Sequence, residues 1–234
     1  MKVAVVRNSV DSRVLNQFGQ ACPETYGQQT VDNVVHGLSN GGHRVALFEG
    51  DAVLLEKLRG FLFPEAGVEN GIVFNMSYGI QGECRYTHVP AMLEMAGIAY
   101  TGSSPLGHAL ALDKVITKIL IRDAGLPTPK WMVAESPDQD PGDLRFPLIV
   151  KPRHESTSYG LQLVRSREEL GDAVLSVVTQ YDQEALVEEY IDGREVCVGL
   201  LGNESLECLP LVELDFGGRE LGAFTWEDKM HKRP

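Results

Sequence analysis

Lys151 stands directly after the apolar run Leu148-Ile149-Val150, and Pro152 follows it. An ammonium at the end of a buried strand is costly to desolvate unless an anion meets it. The loop that follows runs to Gly160 and carries basic, acidic and hydroxyl side chains, Ser156, Thr157 and Ser158 among them. The backbone N–H groups of such a loop can wrap a phosphate. Taken alone, Lys151 also reads as a lysine snorkelling from a strand end to solvent. Lys114 is a second cation of this kind, in the first turn of a helix expected from Asp113. There it opposes the positive end of the helix dipole, a penalty of about 0.3–1 kcal/mol. A solvated lysine beside Asp113 is the plainer reading. The third group is LVEEYIDGREV, where Glu188, Glu189 and Glu195 surround an apolar pair and the turn signal Asp192-Gly193. On an exposed hairpin these are solvated carboxylates. The same segment can present backbone N–H and C=O groups to an adenine, and a carboxylate to ribose hydroxyls.

Two kinds of element position these groups. In the first hundred residues, strand-like and helix-like segments alternate. KVAVVR, RVALFEG and GIVFNMS read as strands, TVDNVVHGL, AVLLEKLRGF and VPAMLEMAG as helices, and IAYTG returns to the sheet. Such alternation predicts a mostly parallel α/β sheet with helices on both faces. After residue 101 the rhythm changes. A periodic helix, DKVITKILIRDAG, precedes the strands WMVAES and FPLIVKPR, and SREELGDAVLSVV opens with a capping box, Ser166 with Glu169. ALVEEYIDGREVCVGLLG gives two strand-like runs around Asp192-Gly193, and SLECLPLVEL adds another strand. This half reads as α+β with antiparallel pairing.

The 234 residues carry a formal net charge of −12, against the basic face of a general nucleic-acid binder. A few lysines gathered in one cleft can still bind a polyanion. No run approaches the ~20 apolar residues of a membrane helix, so a cytoplasmic protein without membrane or nucleic-acid partners is expected. Cys22, Cys84, Cys197 and Cys208 form no CxxC pair and read as reduced thiols. The dispersed histidines suggest no zinc site. KVAVVRNSVDSR lacks the GxGxxG of a dinucleotide dehydrogenase.

In order along the chain, LEMAGIAYTGSSPLGHALALDKVITKILIRDAGLPTPKW, PLIVKPRHESTSYGLQLV and LVEEYIDGREVCVGLLGNESLECLPLVEL resemble the D-alanine–D-alanine ligase family of ATP-grasp enzymes. The resemblance implies an α/β fold: a parallel-sheet, Rossmann-like N-terminal domain over 1–101, then an α+β ATP-grasp domain in two parts, 102–182 and 183–234, the second incomplete. It implies that Lys114 and Lys151 contact the phosphates of ATP and that Glu155 to Gly160, with Thr157 and Ser158, fold over the γ-phosphate. Glu188 and the backbone of Tyr190 and Ile191 would hold the adenine, Glu195 the ribose, and Lys229 would act from an active-site lid. Glu24, Tyr78 and Glu83 would meet the first amino acid. ATP would phosphorylate a carboxylate and an amine would attack the acyl phosphate, giving a dipeptide for peptidoglycan synthesis. Small-molecule substrates and a homodimer complete the expectation. A related ligase for other amino acids, or a nucleotide-binding module without catalysis, are the alternatives.

Several residues depart from the family pattern. The GxSxERxVS segment reads NQFGQACPETYGQQTV, and the HG before the GE element reads Tyr78-Gly79. Thr157 replaces a loop serine and Met230 a lid tyrosine, so a hydrogen-bonded group near the substrate amine loses a donor. The family's Mg²⁺ ligands are expected beyond Pro234, so turnover is expected to require that segment. Glu213 and Asp215 are the last paired acids, and no metal ligand is assigned among the residues present.

Overall fold

The valine-rich N terminus becomes the middle of a parallel sheet. The computed structural model describes residues 1–9, 24–63, 71–217, 222, 225, 226 and 229. The chain divides into two compact units, Met1–Leu120 and Ile121–Pro234. Strand β1 (Lys2–Arg7) leads to α1 (Gln28–Asn40), β2 (Arg44–Glu49), α2 (Leu54–Leu62), β3 (Ile72–Met76), a 3-10 turn at Arg85–Thr87, α3 (His88–Met95), α4 (Pro105–Leu112) and α5 (Lys114–Asp123). The sheet order is β2-β1-β3, all parallel. Tyr100 extends it by a parallel bridge to Val73.

A central strand is buried on both faces, hence its almost unbroken apolar run. Ala4 and Val6 pack with Leu54, Leu58 and Leu62 of α2 and with Val89 and Leu93 of α3. Val5 lies with Val31 of α1 and Met76. Each fully buried Val or Leu side chain contributes about 1.5–3 kcal/mol. The expected helices on both faces are thus present, and the expected apolar stripe of α1 (Val31, Val34, Val35, Leu38) is the one turned inward.

The second unit contains β4 (Trp131–Ala134), β5 (Leu148–Pro152), β6 (Gln162–Val164), α6 (Arg167–Tyr181), β7 (Ala185–Glu189), β8 (Glu195–Cys197), β9 (Leu200–Leu201), β10 (Glu207–Cys208) and β11 (Val212–Leu214). A four-stranded antiparallel sheet has the order β4-β7-β5-β6. Leu148, Val150, Ala185 and Val187 face Leu170, Ala173, Val174 and Val177 of α6. Alternation then places Ile149, Lys151, Leu186 and Glu188 on the opposite face. Ser166 caps α6, its hydroxyl accepting from Glu169 N at 3.1 Å. The Glu169 carboxylate reaches back one residue further than a capping box requires, accepting from Arg165 N at 2.7 Å.

The runs on either side of Asp192-Gly193 do not form the hairpin that this dipeptide suggests. β7 is already hydrogen-bonded to β4 and β5, so no edge is left for β8. β8 instead pairs antiparallel with β11, and β9 with β10. Pro210, which lacks an N–H, falls between β10 and β11. Cys84, Cys197 and Cys208 are free thiols; Cys22 and Met230, and the whole NQFGQACP segment, lie outside the described residues. Among the described residues no helix is long and apolar enough to cross a membrane.

Candidate active site

In the first unit, Asn8 follows the end of β1 and is buried. Its amide nitrogen donates to Gly50 O at 3.0 Å and its oxygen accepts from Gly79 N at 2.9 Å. One side chain therefore ties the loops after β1, β2 and β3 together at the carboxyl ends of the strands. Chain order reverses there, because β1 is followed by β2 on one side and later by β3 on the other. Open α/β sheets bind ligands at that position.

Tyr78 is stacked on Tyr26, with ring centroids 4.9 Å apart at 25°, and tilted against Tyr86 at 5.4 Å. The Tyr86 hydroxyl donates to the carboxylate of Glu24, which is 2% exposed. His108 meets the Tyr86 ring edge-on at 6.1 Å, and burial lowers its pKa from the ordinary histidine value. Glu24 and Tyr78 thus share a neighbour in Tyr86, whereas Glu83 is exposed. Lys114 is the first residue of α5, and the Asp113 carboxylate caps that helix by accepting from Val115 N at 2.9 Å and Ile116 N at 3.2 Å. Lys118, one turn on, is buried, a lysine that the local pattern did not single out.

In the second unit the register of β5 and β7 sets Lys151 opposite Leu186, with Glu188 two residues further along the same face. The ammonium donates to the Glu188 carboxylate, and the two side chains are 21% and 12% exposed. The loop beyond Lys151 is pinned by residues just past α6. His154 N donates to Gln183 Oε1 at 2.9 Å, and Gln183 Nε2 donates to the buried Glu155 at 2.7 Å. Arg153 pairs with Glu184. Thr157 and Ser158 then adopt left-handed backbone, φ 51° and 62°, as does Gly160 at 77°. Non-glycine residues in that region cost about 1–3 kcal/mol each and persist where their surroundings hold them. Such a turn gathers backbone N–H groups into a concavity suited to phosphate. Ser158 Oγ accepts from Lys229 Nζ at 2.8 Å.

Tyr190 continues from β7; its N–H donates to Pro147 O at 3.0 Å and its hydroxyl to Gly222 O at 2.9 Å. Ile191 is 64% exposed. Glu195 opens β8, outside the four-stranded sheet, and is exposed. Glu213 accepts from Arg194 at 3.4 Å and Asp215 from Gly217 N at 2.8 Å, the arrangement of a strand and its turn. Local spacing gave no sign of Gln183, Glu184 or Tyr86, whose roles come from long-range approach.

Glu189, beside Glu188, has a structural partner. Arg145 donates through Nε at 3.2 Å and through its terminal nitrogen at 3.1 Å to the two carboxylate oxygens. These bonds hold the Glu189 carboxyl below the usual carboxylate range. Only 7% of the Glu189 side chain meets water. A lowered pKa favours the ionised form in the fold. Its contribution is therefore present above the unfolded value of about 4.3 and lost as pH falls through the lowered one. Arg145→Ala should move the acid-unfolding midpoint, followed by circular dichroism, to higher pH; an unmoved midpoint would leave the pair without effect.

The family profile described as D-ala D-ala ligase C-terminus matches residues 120–230. An uncharacterized protein, y4sG, of Sinorhizobium fredii is 52% identical over 98% of this chain and 70% of its own length. The D-alanine–D-alanine ligase of Chromohalobacter salexigens is 35% identical over 91% of this chain and 69% of its own. Further D-alanine–D-alanine ligases are matched over about half of their own length. The crystal structure of D-alanine–D-alanine ligase from Bacillus anthracis complexed with ATP superimposes with a TM-score of 0.65 at 23% identity, over 94% of this chain and 68% of that one. This likeness establishes the fold, a parallel-sheet domain followed by the α+β architecture of the ATP-grasp ligases. With a ligase more than 30% identical matched over two thirds of its length, the chain belongs to the D-alanine–D-alanine ligase family.

Proposed function

We propose that the protein is an ATP-dependent ligase that joins two D-alanine molecules through an acyl phosphate. A carboxylate oxygen of the first attacks the γ-phosphorus and ADP leaves; the amine of the second attacks the acyl carbon, and phosphate leaves as the amide forms. The observation that carries this reading is Lys151, held by Glu188 on a sheet face beside a left-handed hydroxyl loop. Phosphoryl transfer is catalysed chiefly by positioning and charge neutralisation. Lys151 and Lys114 are assigned to the nucleotide phosphates, and Thr157, Ser158 and Lys229 to the transferring group. Glu188 and the backbone at Tyr190 and Ile191 take the adenine, and Glu195 the ribose. Glu24, Tyr78 and Glu83 are assigned to the first amino acid.

Among the described residues no group of three or more His, Cys, Asp or Glu side chains could hold a metal ion. Magnesium would enter as the counter-ion of the ATP phosphates, part of the nucleotide substrate. The dipeptide suits peptidoglycan precursor synthesis in the cytoplasm, and a homodimer through the first unit belongs to the same proposal. The test uses the protein expressed from its natural gene with Mg·ATP and D-alanine. Equal amounts of ADP, phosphate and D-alanyl-D-alanine, by coupled assay and mass spectrometry, are the expected result. ADP release indifferent to D-alanine would overturn it.

A further inference from the structure

The hydroxyl loop has a second attachment, beside the one Lys229 makes. Trp226 and Lys229 are helical, and Lys229 N donates to Thr225 O at 3.2 Å, the bond of one helical turn. Residues three apart on such a turn share a side. Trp226 and Lys229 are so spaced, and they meet consecutive loop residues. Lys229 donates to Ser158 Oγ at 2.8 Å, and the Trp226 ring lies 5.0 Å from that of Tyr159. Tyr159 also meets Tyr181, at the end of α6, edge-on at 5.1 Å. A cavity of about 240 Å³ lies beside these rings, lined also by Gln162, Ser176 and Gln180. Tyr159 joins neither the buried core nor its partly buried fringe.

From this geometry we infer that Tyr159 is a positioning residue: with Trp226 it forms the apolar half of a two-point clasp that seats Lys229 on the phosphate loop. The inference rests on the nucleotide reading above. The ammonium is on a long flexible stem, and ring contacts at the neighbouring residue restrict where it can go. Tyr181 anchors the clasp to a helix. Offset and edge-on ring pairs supply such attraction without a hydrogen bond.

The test measures Mg·ATP affinity by titration calorimetry, which needs no turnover. Tyr159→Ala should weaken binding about tenfold, the loss expected from two ring pairs, and Tyr159→Phe should restore it. Because Tyr159 acts through Lys229, the double variant Tyr159→Ala/Lys229→Met should bind as Lys229→Met does alone, within about twofold. Nucleotide should also change an emission component that disappears in Trp226→Phe, and Tyr159→Ala should abolish the change. Should the alanine variant fail to fold, Tyr159→Leu keeps most of the volume and serves in its place. A tenfold loss that persists in the Lys229→Met background, or no loss at all, overturns the clasp. If the parent protein does not bind ATP, the nucleotide reading falls and takes the clasp with it; binding indifferent to residue 159 overturns the clasp alone.

Discussion

Lys151→Met should reduce ATP affinity by roughly a hundredfold or more, the scale seen when a charge-stabilising donor is removed from a site. The side chain carries three donors, and the bond to Glu188 orients the group on a strand whose neighbours on both sides are fixed. Methionine keeps the length and loses the charge. The substitution also removes the ammonium that meets Glu188, whose side chain is only 12% exposed. Breaking a buried pair from one side costs about 3 kcal/mol or more. Lys151→Met/Glu188→Gln removes both charges and should recover most of that stability in urea unfolding, while ATP binding stays lost. Retention of ATP affinity within about threefold by Lys151→Met would remove Lys151 from the site.

Gly79→Ala should destabilise the first unit by at least about 3 kcal/mol. Gly79 has φ +75°, and a Cβ built there would lie 1.9 Å from the carbonyl oxygen of Arg85. Its N–H is also the donor to Asn8, so moving the backbone away breaks the tie between the loops after β1 and β3. Gly97 provides the control. It has φ +68° with no atom within 4 Å of a built Cβ. Gly97→Ala should cost only the left-handed backbone term, about 1–2 kcal/mol. Equal losses in chemical denaturation would mean that the close approach at Gly79 has no energetic weight.

What the sequence revealed follows the range of the forces involved. Valine runs, the apolar stripe of α1 and the Ser166 cap act over a few residues, and each appears where its pattern placed it. Lys151 was legible because a cation closing an apolar strand conflicts with burial. Its bond to Glu188 depends on the register of β5 against β7, which no local pattern states. The Asp192-Gly193 signal was misleading for the same reason: a turn dipeptide favours a hairpin only if the preceding strand keeps an open edge. Gln183 holds Glu155 from 28 residues away. The aromatic contact of Tyr159 joins three segments, and ring type alone does not specify its partners.

Saturation of both margins of β7 also bears on how this lineage can vary. The segment beyond it closes on itself in two short ladders, so lengthening or shortening it leaves the pairing that faces Glu188 toward Lys151 unshifted. Doubling such a connection adds only about 0.6 kcal/mol of closure entropy. Insertions and deletions should therefore accumulate between residues 191 and 214 across relatives, while β5 and β7 keep their lengths.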